Sequence, residues 1–336
     1  MIPTVLRRLK ANLLYVVVGS LAAGLVVGQF VGPEARGGLQ VAVVPALFVM
    51  IYPMMINIDL RELIGVREHL APVGLSLLVN FGIAPLVAIG LAEVFFGGND
   101  AFAIGLYLIA LIPTSGMTAA WTGLAGGDLE AALVAIAVNL VGAVIVLPVY
   151  LSALVDGSVG FEPNRLYRQL AIVVVVPMVA GNLTRRALLR RYGQSGFDEL
   201  KPLFGGASSF GVMLIVFVAM AMQSESVLAD PLASAATVVP LVLFYTIVLV
   251  VGAGVGRLVL ESAQSVALVY ATSMRNLSIA LAIAAAPGFP PAEAVLPIAL
   301  AYLLQPPLGA LYMHYRRDFV GEGRSIGGLL RSLTFR

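Results

Sequence analysis

The sequence predicts an all-α polytopic membrane protein of ten transmembrane helices, arranged as two inverted five-helix repeats. Three observations predict it. Of 336 residues, 60% are hydrophobic and only 11% charged, where an ordinary soluble domain carries about 25% charge; mean hydropathy is +0.99. A spanning helix needs about 20 mainly apolar residues, and ten such stretches occur, near 12–32, 38–57, 72–96, 102–125, 131–154, 167–184, 207–228, 232–256, 263–286 and 294–314. An odd number of spans in each half sends the second half into the membrane in the opposite direction, which is the arithmetic of an inverted repeat. Residues 1–156 and 157–314 are then the two repeats, and 315–336 a cytoplasmic tail.

The first span follows Arg7, Arg8 and Lys10, and its apolar run is long enough to cross, so it reads as an uncleaved helix rather than a secretory signal. Its Gly19, Ala23, Gly24 and Gly28 permit close helix packing. The second span contains Pro53 and ends in the turn Asp59–Leu63; the third holds Asn80, with Glu93 near its outer end. The fourth is interrupted by Pro113-Thr114-Ser115-Gly116-Met117-Thr118. Proline deletes one helix hydrogen bond and glycine lowers the cost of unwinding, and broken backbone at membrane depth survives only inside protein or beside a wet cavity. A plain proline kink is the competing reading for this span taken alone.

The fifth span, after the acidic turn Asp128–Glu130, carries Asn139, Gly142 and Pro148. A hydrophilic loop from Arg185 to about Gly206 separates the sixth and seventh spans, and Gln223 lies in the seventh. The ninth contains Arg275, the only charge between Glu261 and Glu293, with Thr272, Ser273, Asn276 and Ser278 around it. It has no Pro or Gly between Ala263 and Ala286, so an interruption there must come from those polar residues. The tenth repeats the pattern of the fifth, an amide followed by prolines and a small residue: Gln305, Pro306, Pro307, Gly309. Tail residues Leu329 and Leu330 with Arg324, Arg331 and Arg336 suit either a short surface helix or a disordered basic tail.

Charge sets the orientation. With the N-terminus in the cytoplasm, every Lys and Arg falls on that side except Arg36, Arg165 and Arg168 outside and Arg275 within a span, so both termini are expected in the cytoplasm of a plasma-membrane protein. The chain has no cysteine, which excludes disulfides, Cys-ligated metal and thiolate catalysis. The two histidines, His69 and His314, sit near cytoplasmic span ends and no HExxH pattern exists, so no enzyme, cofactor or metal is expected. Carrier and channel both stay open, because polar broken helices also line pores.

Three segments carry a family resemblance. Ile51-Tyr52-Pro53-Met54-Met55 closed by Asp59-Leu60-Arg61-Glu62-Leu63, Pro113-Thr114-Ser115-Gly116-Met117 continuing through Trp121 to Leu124-Ala125-Gly126-Gly127-Asp128, and Arg275-Asn276-Leu277-Ser278-Ile279-Ala280 resemble the bile acid:sodium symporter superfamily, and within it the arsenite carriers of arsenical-resistance systems. The resemblance implies broken helices four and nine that cross at their unwound midpoints, and alternating access by movement of a panel of helices against a core. On that basis Thr114, Ser115, Gly116, Thr118, Thr272, Ser273, Arg275, Asn276 and Ser278 are the candidate substrate-binding and crossover residues, supported by Pro53, Pro113, Asn139 and Gln305.

The departures are informative. The arsenite carriers have a cysteine where this chain has Thr114 and an acidic residue where it has Ser278; the sodium-coupled branch has an acidic residue at the place of Ala271 and an amide at the place of Arg275. No Asp or Glu lies deep in any span, and a guanidinium repels sodium, so strict sodium dependence is not expected and the coupling ion stays open. The expected partners are a small-molecule solute and the lipid bilayer, with no nucleic acid. The solute is an oxyanion or a hydroxylated molecule such as arsenite or antimonite, with a bile-acid-like or small carboxylate anion as the alternative.

Overall fold

The computed structural model describes residues 6, 12–97, 100–154, 167–168, 171–229, 231–285 and 291–320. Their secondary structure is helical throughout, apart from one isolated antiparallel bridge between Thr114 and Arg275. In chain order the helices are α1 (Leu13–Gly28), α2 (Pro33–Asn57), α3 (Leu70–Leu78), α4 (Ala84–Phe95), α5 (Asp100–Leu111), α6 (Met117–Leu124), α7 (Leu129–Leu154), α8 (Val176–Ala229), α9 (Pro231–Ala236), α10 (Val238–Val259), α11 (Ser262–Ser273), α12 (Leu277–Ala285) and α13 (Val295–His314). Among the described residues, Leu70–Phe95, Leu129–Leu154, Val176–Glu225, Ser234–Val259 and Val295–Arg317 are each long and apolar enough to cross a membrane. Val41–Asn57 with Leu60–Arg67, bent by 44°, makes a sixth. The boundary expected between 156 and 157, and the tail residues 321–336, lie outside the described residues.

Local chemistry explains several boundaries. Pro33 opens α2 behind Gly32, where a missing N–H costs nothing. Asp128 precedes α7 and its carboxylate accepts from Ala131 N at 3.0 Å, satisfying one orphan donor of the first turn. Between α3 and α4 the backbone forms one π turn, Val79–Ile83, with Asn80 buried inside it.

The expected loop at 185–206 is instead helical. α8 runs through it, but 50 residues of straight helix would extend about 75 Å, over twice the hydrocarbon thickness of about 30 Å. Gly193, at φ 69° and ψ −176°, breaks the run. The chain reverses there: the Arg185 guanidinium stands 4.7 Å from the Phe197 ring centre, twelve residues away. The two arms form a helical hairpin because the polar residues between them suit a helix as well as a loop, and glycine alone accepts the left-handed φ.

The α8 hairpin packs on α1 and α2 as one group. In lipid, helix association rests on van der Waals contact rather than the hydrophobic effect, so small residues mark the seams. A side chain on Gly24 would meet Phe217 O at 2.6 Å, and one on Gly211 would strike the Met50 backbone. Gly211→Val should therefore lower thermal stability in detergent, by about 1–3 kcal/mol of overpacking; an unchanged melting temperature would refute this seam. The other helices form a second group around the paired half-helices α5/α6 and α11/α12. On one side of the membrane α12 packs on α2 and α8, while the opposite half-helices α6 and α11 have no comparable packing on that group.

Candidate functional site

Two broken helices meet at the centre. α5 ends at Leu111 and α6 resumes at Met117, because Pro113 has no N–H to donate and forces Ile112 out of helical conformation. α11 ends at Ser273 and α12 resumes at Leu277, with no proline in between. The two gaps fill one another: Ser115 N donates to Met274 O and Asn276 N to Pro113 O, each at 2.8 Å. Backbone groups freed by each break are thus satisfied by the other, which is what membrane depth demands.

Side chains complete the second break. Gln305, from α13, accepts from Arg275 N at 2.8 Å and donates to Arg275 O at 3.0 Å, acting as a one-residue strand partner. The Tyr245 hydroxyl donates to the same amide oxygen at 3.1 Å. Asn276 starts α12: its backbone oxygen accepts from Ile279 N and Ala280 N, and its Oδ1 from Ile279 N at 3.4 Å.

The hydroxyls then divide into two sets. Thr114 Oγ1 donates to Met274 O at 3.1 Å and lies 2.6 Å from Thr118 Oγ1, which donates to Tyr270 O. Ser115 Oγ accepts from Met117 N at the start of α6. The two threonines join the broken helices, while Ser115 Oγ caps its own. Thr272 and Ser273 instead donate back to carbonyls of their own helix, and Ser278 pairs with the Tyr302 hydroxyl at 2.9 Å. Asn139 reaches the ninth-span segment at second hand: its Oδ1 accepts from Asn80 Nδ2, which also donates to Ala271 O at 2.9 Å. In the sequence Asn80 stands out only as a polar residue of the third span, and Tyr245 not at all, since an isolated tyrosine in an apolar helix carries no signal. Pro53 lies partly exposed within α2 and takes no part in the hydrogen bonds described above.

Arg275 is 1% exposed. Its Nη1 donates to Ile112 O at 3.4 Å, its guanidinium carbon stands 5.9 Å from the Phe244 ring centre, and Nε and Nη2 have no partner. No Asp or Glu appears among the buried polar residues described. The groups in contact with the charge are the C-terminal end of α5, worth about half an elementary charge, and an aromatic face. The crossover thus carries net positive potential.

It is also open at one point. Residues 108–115 are all buried, whereas Gly116 is exposed, as is Ala120 one turn on; Met117 is partly exposed. A side chain on Gly116 would meet nothing within 4 Å. Beside this opening Trp121 stacks on Tyr270 at 6.3 Å, and Tyr312 meets Tyr270 edge-on at 5.4 Å. Such a surface can hydrogen-bond and attract an anion.

Residues 44–230 match the Sodium Bile acid symporter family. The chain is 22% identical over 289 residues to the arsenical-resistance protein Acr3 of Corynebacterium glutamicum, covering 80% of this chain and 77% of that one. It is 25% identical over 294 residues to Acr3 of Alkaliphilus metalliredigens, covering 80% and 81%. A shorter stretch of 129 residues is 30% identical to the probable sodium/metabolite cotransporter BASS4 of Arabidopsis thaliana, covering 37% of this chain and 28% of that one.

Proposed function

The chain belongs to the sodium bile acid symporter family, and from that premise we propose that it moves a small oxyanion or hydroxylated solute across the plasma membrane by alternating access. The carrying observation is the pair of crossed helix breaks, holding a buried arginine without a carboxylate and opening at Gly116. The architecture we propose is ten spans in two inverted repeats, 1–156 and 157–314, with both termini and the tail 315–336 in the cytoplasm. Folding back of α8 at Gly193 and the reciprocal breaks support it.

Arsenite or antimonite efflux is the specific activity to test first, given the two Acr3 relatives. Trivalent arsenic binds thiols, and this chain has no cysteine, so recognition rests on hydrogen bonds to the hydroxide form. For a monoanion the inside-negative potential drives efflux with about 2.3 kcal/mol per 100 mV, and no coupling ion is needed. The aromatic wall of Trp121, Tyr270 and Tyr312 favours one alternative, an organic anion with an apolar body.

Proteoliposomes decide between these. Saturable exchange of labelled solute marks a carrier; non-saturating flux would mark a channel. Rates should be similar in choline and sodium media, and a steep, saturable sodium requirement would overturn the reading. A thermal-stability screen over arsenite, antimonite and small carboxylates identifies the solute class, because a bound solute raises apparent stability by mass action.

A further inference from the structure

The first arm of the α8 hairpin carries one continuous stripe along its outer face. Val176, Val179 and Leu183 are 50–59% exposed, and Arg186 and Arg190 are exposed. At 100° per residue these five positions fall within an arc of about 80°. The opposite face, with Pro177, Gly181, Asn182 and Arg185, is buried. The apolar part of the stripe therefore faces hydrocarbon, and its continuation places two guanidinium groups about 5–10 Å farther along the same line.

Among the described residues, Arg186 and Arg190 take part in no ion pair. Among the described residues, the acidic groups around the hairpin have other partners: Asp59 accepts from the buried Arg185 at 2.7 Å, and Asp198 from Lys201 at 2.7 Å and Gln194 at 3.1 Å. Glu199 is exposed on the second arm. No ion pair among those residues includes Arg186, Arg190 or Arg191. Beside them the half-exposed Tyr192 has the Arg191 guanidinium over its ring at 5.4 Å, a pairing suited to a membrane interface.

We propose that this stripe is a binding site for an anionic phospholipid of the surrounding bilayer, its acyl chain along Val176, Val179 and Leu183 and its phosphate held by Arg186 and Arg190. Charge complementarity and the unbroken run from lipid-facing to cationic side chains commit the site to a lipid rather than to free phosphate. The planar fork of arginine suits a phosphate bidentately.

The test is native mass spectrometry of the purified protein with equimolar phosphatidylglycerol and phosphatidylcholine. Wild type should retain phosphatidylglycerol preferentially, and R186Q/R190Q should lower that preference about 25-fold, since each basic group near a membrane surface contributes about five-fold. Arg61, exposed on another segment, serves as control: R61Q should behave as wild type. Inorganic phosphate at the same concentration should not displace the lipid. Should the double variant fail to purify, R190Q alone and the wild type's stabilisation by phosphatidylglycerol over phosphatidylcholine, which should shrink with rising salt, read the same site. Equal retention of the two lipids by wild type, an undiminished preference in the variants, or displacement by free phosphate would each overturn the proposal. Lipid retention is read without any transport assay, so its failure is separate from failure of the transport reading.

Discussion

Arg275→Gln protein should bind a monoanionic solute about ten-fold more weakly than wild type, while still inserting and folding. At an effective dielectric near 20, a unit charge about 10 Å from a bound anion contributes about 1.7 kcal/mol, which is roughly ten- to twenty-fold in affinity. Folding should survive because the crossover uses the backbone of Arg275, held by Gln305 and paired with the Thr114 segment, and because glutamine removes a charge that costs about 2.5–3.5 kcal/mol to insert. Arg275→Lys keeps the charge but loses the fork that reaches Ile112 O, so its affinity for an anion should stay nearer wild type. A neutral solute, such as arsenite in its hydroxide form, should respond alike to both substitutions. Normal transport by Arg275→Ala protein would show that the arginine serves structure alone.

The second large effect belongs to Gln305. Gln305→Leu has similar volume but leaves Arg275 N and the Tyr245 hydroxyl without partners in a buried site, while Arg275 O keeps only its bond from Leu277 N. Each orphaned group costs about 1–3 kcal/mol, so the two together should lower stability by about 2–6 kcal/mol, and transport should be lost. Gln305→Glu keeps an acceptor for Arg275 N and Tyr245 and should recover most of the lost stability. Melting curves in detergent with transport in proteoliposomes measure both, and wild-type behaviour of Gln305→Leu would refute the clamp.

Much of the fourth-span break was legible in sequence, since Pro113 acts within its own helix. The ninth-span break was legible only as a question. Thr272, Ser273, Arg275 and Asn276 marked the place, yet the hydroxyls of Thr272 and Ser273 turn back onto their own helix, a bond equally available in an unbroken one. What holds Met274–Asn276 extended is Gln305, thirty residues on, and Ser115 and Pro113, about 160 residues back. The loop expected between Arg185 and Gly206 erred for a related reason: polarity marks departure from hydrocarbon, not departure from helix.

By itself, then, the sequence determined the membrane-embedded helical character, the likeness to this transporter family and the single intramembrane charge, because transfer free energy is a property of each segment in its solvent. Tertiary structure alone decided which backbone groups the breaks expose and which partners take them up. Only it shows that Asn80 reaches Ala271 O, that Tyr245 supports Gln305, and that Arg275 lies shut in while Gly116 stands open. Hydrogen bonds are directional and of short reach, so their partners are settled by where distant helices come to rest.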